Sequence, residues 1–117
     1  VIATESDAEN SGPPPVPVVP NIHTTIYAAA SSKGALDMGQ WHKCEKTHCR
    51  AGWAVALAGK PGFALERFYG GEGSGTTLAA MMIYDASDLA FKINPCRFFD
   101  DNDEALADMK RLAKQSA

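Results

Sequence analysis

The sequence has no long apolar run and no excess of positive charge. Its longest apolar stretch, AGWAVALAG at residues 51–59, is far shorter than the ~20 residues that a membrane-spanning helix needs. The net charge is −3, whereas phosphate binding requires a basic face. We therefore expect neither a membrane nor a nucleic acid as partner.

Cysteine and histidine are scarce, and most of them fall in one stretch. The chain has 3 cysteines and 3 histidines, too few cysteines for a scaffold built on disulfides. Residues 41–53, WHKCEKTHCRAGW, contain two of each. A disulfide, a metal site and free thiols all remain open, and the low count favours a reducing compartment.

No segment alternates apolar and polar residues as a half-buried strand would. We therefore predict an all-α fold, a small bundle of about four to five short helices over residues 21–117. An extended Pro-rich N-terminal arm or linker, residues 1–20, precedes this single helical domain. Proline lacks an amide proton and fixes φ, so PPPVPVVP cannot be helix or inner strand.

Local signals predict where the helices begin and which sides face inward. The predicted caps are Asn21, Thr47, Thr76 or Thr77, and Asp101 with Glu104. The helix after Thr47 is the most apolar and should lie at the centre. The residues expected to face inward are Phe63 or Ala64 with Phe68, and the stripe Leu106, Met109, Leu112 and Ala113.

The glycine-rich stretch GGEGSGTT, residues 70–77, approaches the pattern of a phosphate-binding loop. It has Thr76 where that loop needs a lysine to contact the phosphates. The segment before it is also helical in pattern rather than a buried strand. We interpret the stretch as a loop that binds no nucleotide.

A zinc site is one interpretation of the cysteines and histidines. Cys44, Cys49, Cys96 and His42 supply enough soft ligands for tetrahedral zinc. The spacing is not one of the standard zinc patterns, however. His48 would diverge from Cys49 by about 100° on a helix, so both are not expected on one ion.

A catalytic thiol is the second interpretation. Cys49 would lie in the first turn of a helix, where the helix dipole lowers the pKa of a thiol. His42 or His48 would serve as the base. No histidine follows His48, so the chain offers no distant imidazole partner.

The third interpretation is structural. Cys44 and Cys49 would be small buried residues, either bridged or free, that hold the loop against the central helix. Trp41 and Trp53 would anchor the core, and Gly52 would allow a close backbone contact with another helix.

The run CEKTHCRAGWAVALAG, residues 44–59, resembles a group of uncharacterised small domains from phages, prophages and bacteria. Their shared pattern is Cys-x4-Cys-[Arg/Ile]-Ala-Gly-Trp followed by an apolar helix. IYDASD and DEALADMKRLA further along are also similar, so the resemblance covers most of residues 21–114. Residues 45–46, EK, depart from the Gly-Thr or Thr-Thr usual there. The resemblance implies a phage or bacterial source, hence a virion or bacterial cytoplasm, and it implies no chemistry.

Together these features predict a non-enzymatic structural or protein-interaction module, phage-borne, that acts as a subunit of a larger assembly. Other protein subunits would bind the arm, with Val16, Val18 and Val19 as contacts. The alternatives are a thiol-dependent enzyme using Cys49 and a zinc-stabilised adaptor domain.

Overall fold

A computed structural model describes residues 12–116, and its fold is mainly helical, as predicted. None of the described helices is long and apolar enough to cross a membrane. In chain order the elements are α1 (Ile22–Ala30), β1 (His42–Cys44), β2 (Thr47–His48), α2 (Arg50–Leu57), α3 (Gly59–Phe68), α4 (Ser74–Ser87), a 3-10 helix (Pro95–Phe99) and α5 (Asn102–Ser116).

Helix α2 lies at the centre, as its apolar sequence indicates, and packs against α1, α3 and α4. Its inward residues Ala51, Ala54 and Val55 are fully buried. Because these side chains are small, the neighbouring helices approach closely. Helix α5 packs against α1.

Strands β1 and β2 form an antiparallel hairpin that the sequence did not indicate. The strands are 3 and 2 residues long, too short for an alternating pattern to show. The hairpin also changes the start of α2. Thr47 pairs within the sheet, so the N-cap of α2 is Cys49 and not Thr47 as predicted.

The other predicted caps have mixed outcomes. The capping box at α5 is confirmed, because the Asp101 carboxylate accepts from the Glu104 amide and the Glu104 carboxylate accepts from the Asp101 amide. Asn21 does precede α1, but it has a φ of 51° and its side chain makes no capping hydrogen bond. Helix α4 begins at Ser74 and its N-cap is Gly73, so neither Thr76 nor Thr77 caps it as predicted.

Two predicted inward faces are wrong in their details. Phe68 is 43% exposed, because α3 instead buries Gly62, Leu65 and Glu66. On α5, Met109 and Leu112 are buried as predicted, but Leu106 and Ala113 are only partly buried, and the buried stripe contains a charged side chain. It consists of Ala105, Asp108, Met109 and Leu112.

The proline-rich segment is described from residue 12 onward, and predictions about residues 1–11 lie outside the described residues. Residues 13–19 form no helix or strand. Val19 is buried in the core of the helical domain, and its amide donates to Ser87 Oγ at 2.9 Å. Val19 therefore contacts its own chain rather than a partner, whereas Val16 and Val18 are exposed.

Candidate functional site

The hairpin brings together the two histidines of the 41–53 stretch. His42 on β1 pairs with His48 on β2, and their rings meet edge to face with centroids 4.9 Å apart. His48 is buried and His42 is half-buried. The two side chains lie at the end of the hairpin nearest α2.

A chain of hydrogen bonds connects these histidines to two helices. His42 Nδ1 lies 2.8 Å from His48 Nδ1, and His42 Nε2 lies 2.7 Å from Glu66 Oε2 on α3. The Thr76 hydroxyl on α4 donates to the same Glu66 oxygen. We call His42, His48, Glu66 and Thr76 the histidine cluster.

The partners of the cluster fix one of its protons and show where two others are shared. His48 Nε2 is 2.9 Å from the Glu45 carbonyl, which can only accept, so Nε2 carries the proton. One proton then lies between the two Nδ1 atoms, and either ring can donate it. One further proton lies between His42 Nε2 and the Glu66 carboxyl.

This arrangement leaves the cluster little capacity for catalysis. All four ring nitrogens of His42 and His48 already have partners within the protein. A general base needs a free lone pair that reaches the substrate. The cluster instead joins the hairpin to α3 and α4 through hydrogen bonds. These bonds help to fix the position of residues 42–48.

Cys49 is the buried N-cap of α2 and behaves as a neutral thiol. Its sulfur accepts from the Gly52 amide at 3.3 Å, and its S–H donates to the Trp41 carbonyl at 3.7 Å. Burial raises the pKa of Cys49 despite the nearby backbone amides. This environment therefore favours the neutral thiol, not the thiolate that the helix dipole was expected to stabilise.

Cys44 differs from Cys49 in both exposure and ionisation. It is exposed at the end of β1, and hydrogen bonds, first from the Lys46 backbone and then from Thr47, lower its pKa. Cys96 is exposed on the 3-10 helix. All three cysteines are free thiols in the structure.

The residues proposed for zinc lie in different surroundings. Cys49 is buried beneath the hairpin, Cys44 and Cys96 face outward, and both His42 ring nitrogens have hydrogen-bond partners. Within residues 12–116 no three His, Cys, Asp or Glu side chains are grouped so that they could hold one ion.

The two tryptophans and Gly52 pack around the hairpin. Trp53 is half-buried, its indole N–H donates to the Ala35 carbonyl at 2.7 Å, and its ring packs on His48. Trp41 is half-buried and meets the exposed Phe99 ring edge to face. A Cβ on Gly52 would overlap the Trp41 carbonyl, so its close neighbour is loop backbone rather than a helix as predicted.

A second polar group lies deep in the core. The fully buried Arg50 donates to Asp108 Oδ2 at 2.7 Å and to Tyr84 Oη at 3.1 Å, and Arg111 donates to the other Asp108 oxygen at 2.6 Å. Burial acts to raise the pKa of Asp108, but hydrogen bonds from Arg50 and Arg111 outweigh it and lower that pKa.

Sequence reasoning missed Glu66, Thr76 and Asp108 as partners in these groups. Asp108 did carry a signal, because it interrupts the apolar stripe of α5 one turn after Ala105. A charged residue inside such a stripe indicates a paired, buried charge. Glu66 carried no such signal, since its partners are 24 and 10 residues away.

Comparisons with protein-family models, with curated proteins and with solved structures find no match to this chain. The resemblance to phage and bacterial domains therefore stays a prediction from the sequence motif.

Proposed function

We propose that the chain is a non-enzymatic interaction module, a subunit of a larger protein assembly, that binds its partner through the proline-rich segment. The observation that carries the proposal is the different exposure of its valines. Val16 and Val18 are 38% and 61% exposed, whereas Val19 is 5% exposed and tied to Ser87. Val19 thus attaches the segment to the helical domain, while Val16 and Val18 remain exposed for a partner to contact.

The chemistry of the segment suits binding. Its prolines fix φ and lack amide protons, so little backbone entropy remains to be lost when a partner binds. Pro13 to Pro15 also line a groove together with Arg67 and the exposed Phe68 of α3. A partner that contacts Val16 and Val18 therefore has further apolar surface nearby.

The alternatives have less support. A thiol-dependent enzyme would need Cys49 as a thiolate, but its S–H is buried and donates to a carbonyl. A zinc-stabilised adaptor would need Cys44, Cys49, Cys96 and His42 on one ion, and two of these sulfurs are on the surface while one is buried.

A double substitution, Val16→Ser with Val18→Ser, is expected to abolish recovery of the partner subunit when the tagged protein is purified from its native source. Two exposed apolar contacts are lost, while the buried Val19 and the helices are untouched. Circular dichroism and the thermal midpoint should match the parent protein. Co-purified subunits are identified by mass spectrometry.

The matched control is Leu89→Ser, which removes a side chain that is 74% exposed and lies outside the segment. This variant should recover the same subunits as the parent. Equal recovery by the double variant would contradict the proposal that the segment is the binding surface.

A further inference from the structure

A surface cleft of about 290 Å³ is lined by residues of the 3-10 helix and of α5, and two of them are arginines. Arg97 belongs to the 3-10 helix and Arg111 to α5, and their side chains are 44% and 53% exposed. The other lining residues are Glu104, Ala107 and Asp108. We propose that this cleft binds a carboxylate group between the guanidinium groups of Arg97 and Arg111.

The two guanidinium groups lie close enough to bind one ligand together. Arg111 Nη2 is 2.6 Å from Asp108 Oδ1, and Arg97 Nη2 is 3.7 Å from the same oxygen atom. Both nitrogens are therefore neighbours of a single atom. The two oxygens of a bound carboxylate can each accept from one guanidinium at about 2.8 Å, so one such group can bridge the two arginines.

Arg97 is not needed to satisfy Asp108. The two Asp108 oxygens already accept from Arg50 at 2.7 Å and from Arg111 at 2.6 Å. Arg97 Nη2, at 3.7 Å, is beyond hydrogen-bond distance, and it has no other hydrogen-bond partner within the described residues. Arg97 Nη1 donates to Asp100 at 3.2 Å. Arg97 therefore keeps a donor for a ligand in the cleft.

The charges around the cleft favour a ligand with a single negative charge. Asp108 and Asp100 pair with three arginines, so the group has one positive charge in excess. Glu104 also lines the cleft and lowers this charge, although its Oε1 accepts from the Asp101 amide. Because the excess is small, a carboxylate suits the cleft better than a phosphate dianion, whose second charge no arginine would offset.

Arginine rather than lysine lines the cleft, which also favours a carboxylate. The planar guanidinium presents several N–H donors in a fixed geometry that matches carboxylate oxygens. Such a carboxylate can belong to a small organic acid or to the C-terminus of a peptide. The cleft shares no residue with the groove beside the proline-rich segment, so it can be tested independently of that segment.

The test is an NMR titration of the ¹⁵N-labelled full chain with sodium acetate, which replaces sodium chloride at constant ionic strength near neutral pH. The Nε–H signals of Arg97 and Arg111 should shift together and saturate, with a midpoint of about 1–50 mM. The signal of Arg67, which is exposed in the last turn of α3 outside the cleft, should not shift. Equal shifts of all three signals, or no saturation at Arg97 and Arg111, would overturn the proposal.

Three further probes define the ligand. N-acetylalanine amide lacks the carboxylate and should shift neither arginine, and inorganic phosphate should bind more weakly than acetate. Binding of the amide, or tighter binding of phosphate, would refute a carboxylate site. N-acetylalanine should bind at least as well as acetate. A lower midpoint for N-acetylalanine assigns the site to a peptide C-terminus, and an equal midpoint assigns it to small acids.

Two matched variants assign the binding to the cleft. Arg97→Gln removes one guanidinium and should raise the acetate midpoint, followed at the Arg111 signal, by about fivefold. Arg67→Gln removes an exposed arginine elsewhere and should leave the midpoint unchanged. Equal midpoints in the parent and in Arg97→Gln would contradict the proposal. The titration of the parent protein uses no variant, so its result holds even if a substitution destabilises the fold.

Discussion

Asp108→Ala is expected to lower the free energy of unfolding by about 3–5 kcal/mol, the cost of breaking a buried ion pair on one side. Arg50 is fully buried, and the substitution removes the carboxylate that accepts from its Nη1 at 2.7 Å. Its Nη2 has no hydrogen-bond partner within the described residues, so Arg50 depends strongly on Asp108. Urea denaturation followed by circular dichroism measures the change.

Two further variants check the reason for this loss. Asp103→Ala removes an exposed acidic residue from the first turn of the same helix and should cost no more than about 0.5 kcal/mol. Arg50→Met combined with Asp108→Leu replaces the pair by apolar groups and should recover much of the stability. Equal effects of Asp103→Ala and Asp108→Ala would contradict the account.

The pH dependence of this pair has a definite sign. The pKa of Asp108 is lowered in the folded protein, so its stabilisation is fully present above the ordinary value of 3.8. It is lost as the pH falls through the lower, folded value.

Gly52→Ala is expected to be the second most damaging change, at about 3 kcal/mol, the upper end of the usual overpacking range. The new methyl group would overlap the Trp41 carbonyl, which is backbone and cannot rotate away, and would also crowd the His48 side chain. Because Trp41 also accepts from Cys49, the start of α2 should loosen. The same urea experiment gives the magnitude.

Gly71→Ala is the matched control for this substitution. Nothing lies within 4 Å of a Cβ at that position, but its φ is +84°, which costs an L residue about 1–2 kcal/mol. The loss should therefore be smaller than for Gly52→Ala. The reverse order would show that the contact between Gly52 and Trp41 is looser than described.

The sequence predicts those parts of the fold that depend only on residues close together in the chain. The capping box of α5 needs only Asp101 and Glu104, and the central position of α2 follows from its own apolar composition. The hairpin depends instead on pairing between very short strands. Without it, Thr47 looks like a better cap than Cys49, and the prediction fails.

The candidate site was predicted in part. The stretch 41–53 was identified, but the side chains that define its chemistry, Glu66 and Thr76, come from helices with no local marker for that role. In the sequence the two histidines look like metal ligands or bases. In the structure these contacts make them part of a hydrogen-bond network in which every ring nitrogen has a partner. Only the tertiary arrangement contains this information.

The most direct test of the central claim is to detect the hydrogen bond between His42 and His48. In a protein labelled with ¹⁵N, near neutral pH, we expect a scalar coupling between the two Nδ1 atoms and a proton on Nε2 of His48. The coupling requires the shared proton that joins the two rings. Its absence would contradict the account, because the rings would then share no proton and a lone pair would be free to bind metal or act as a base.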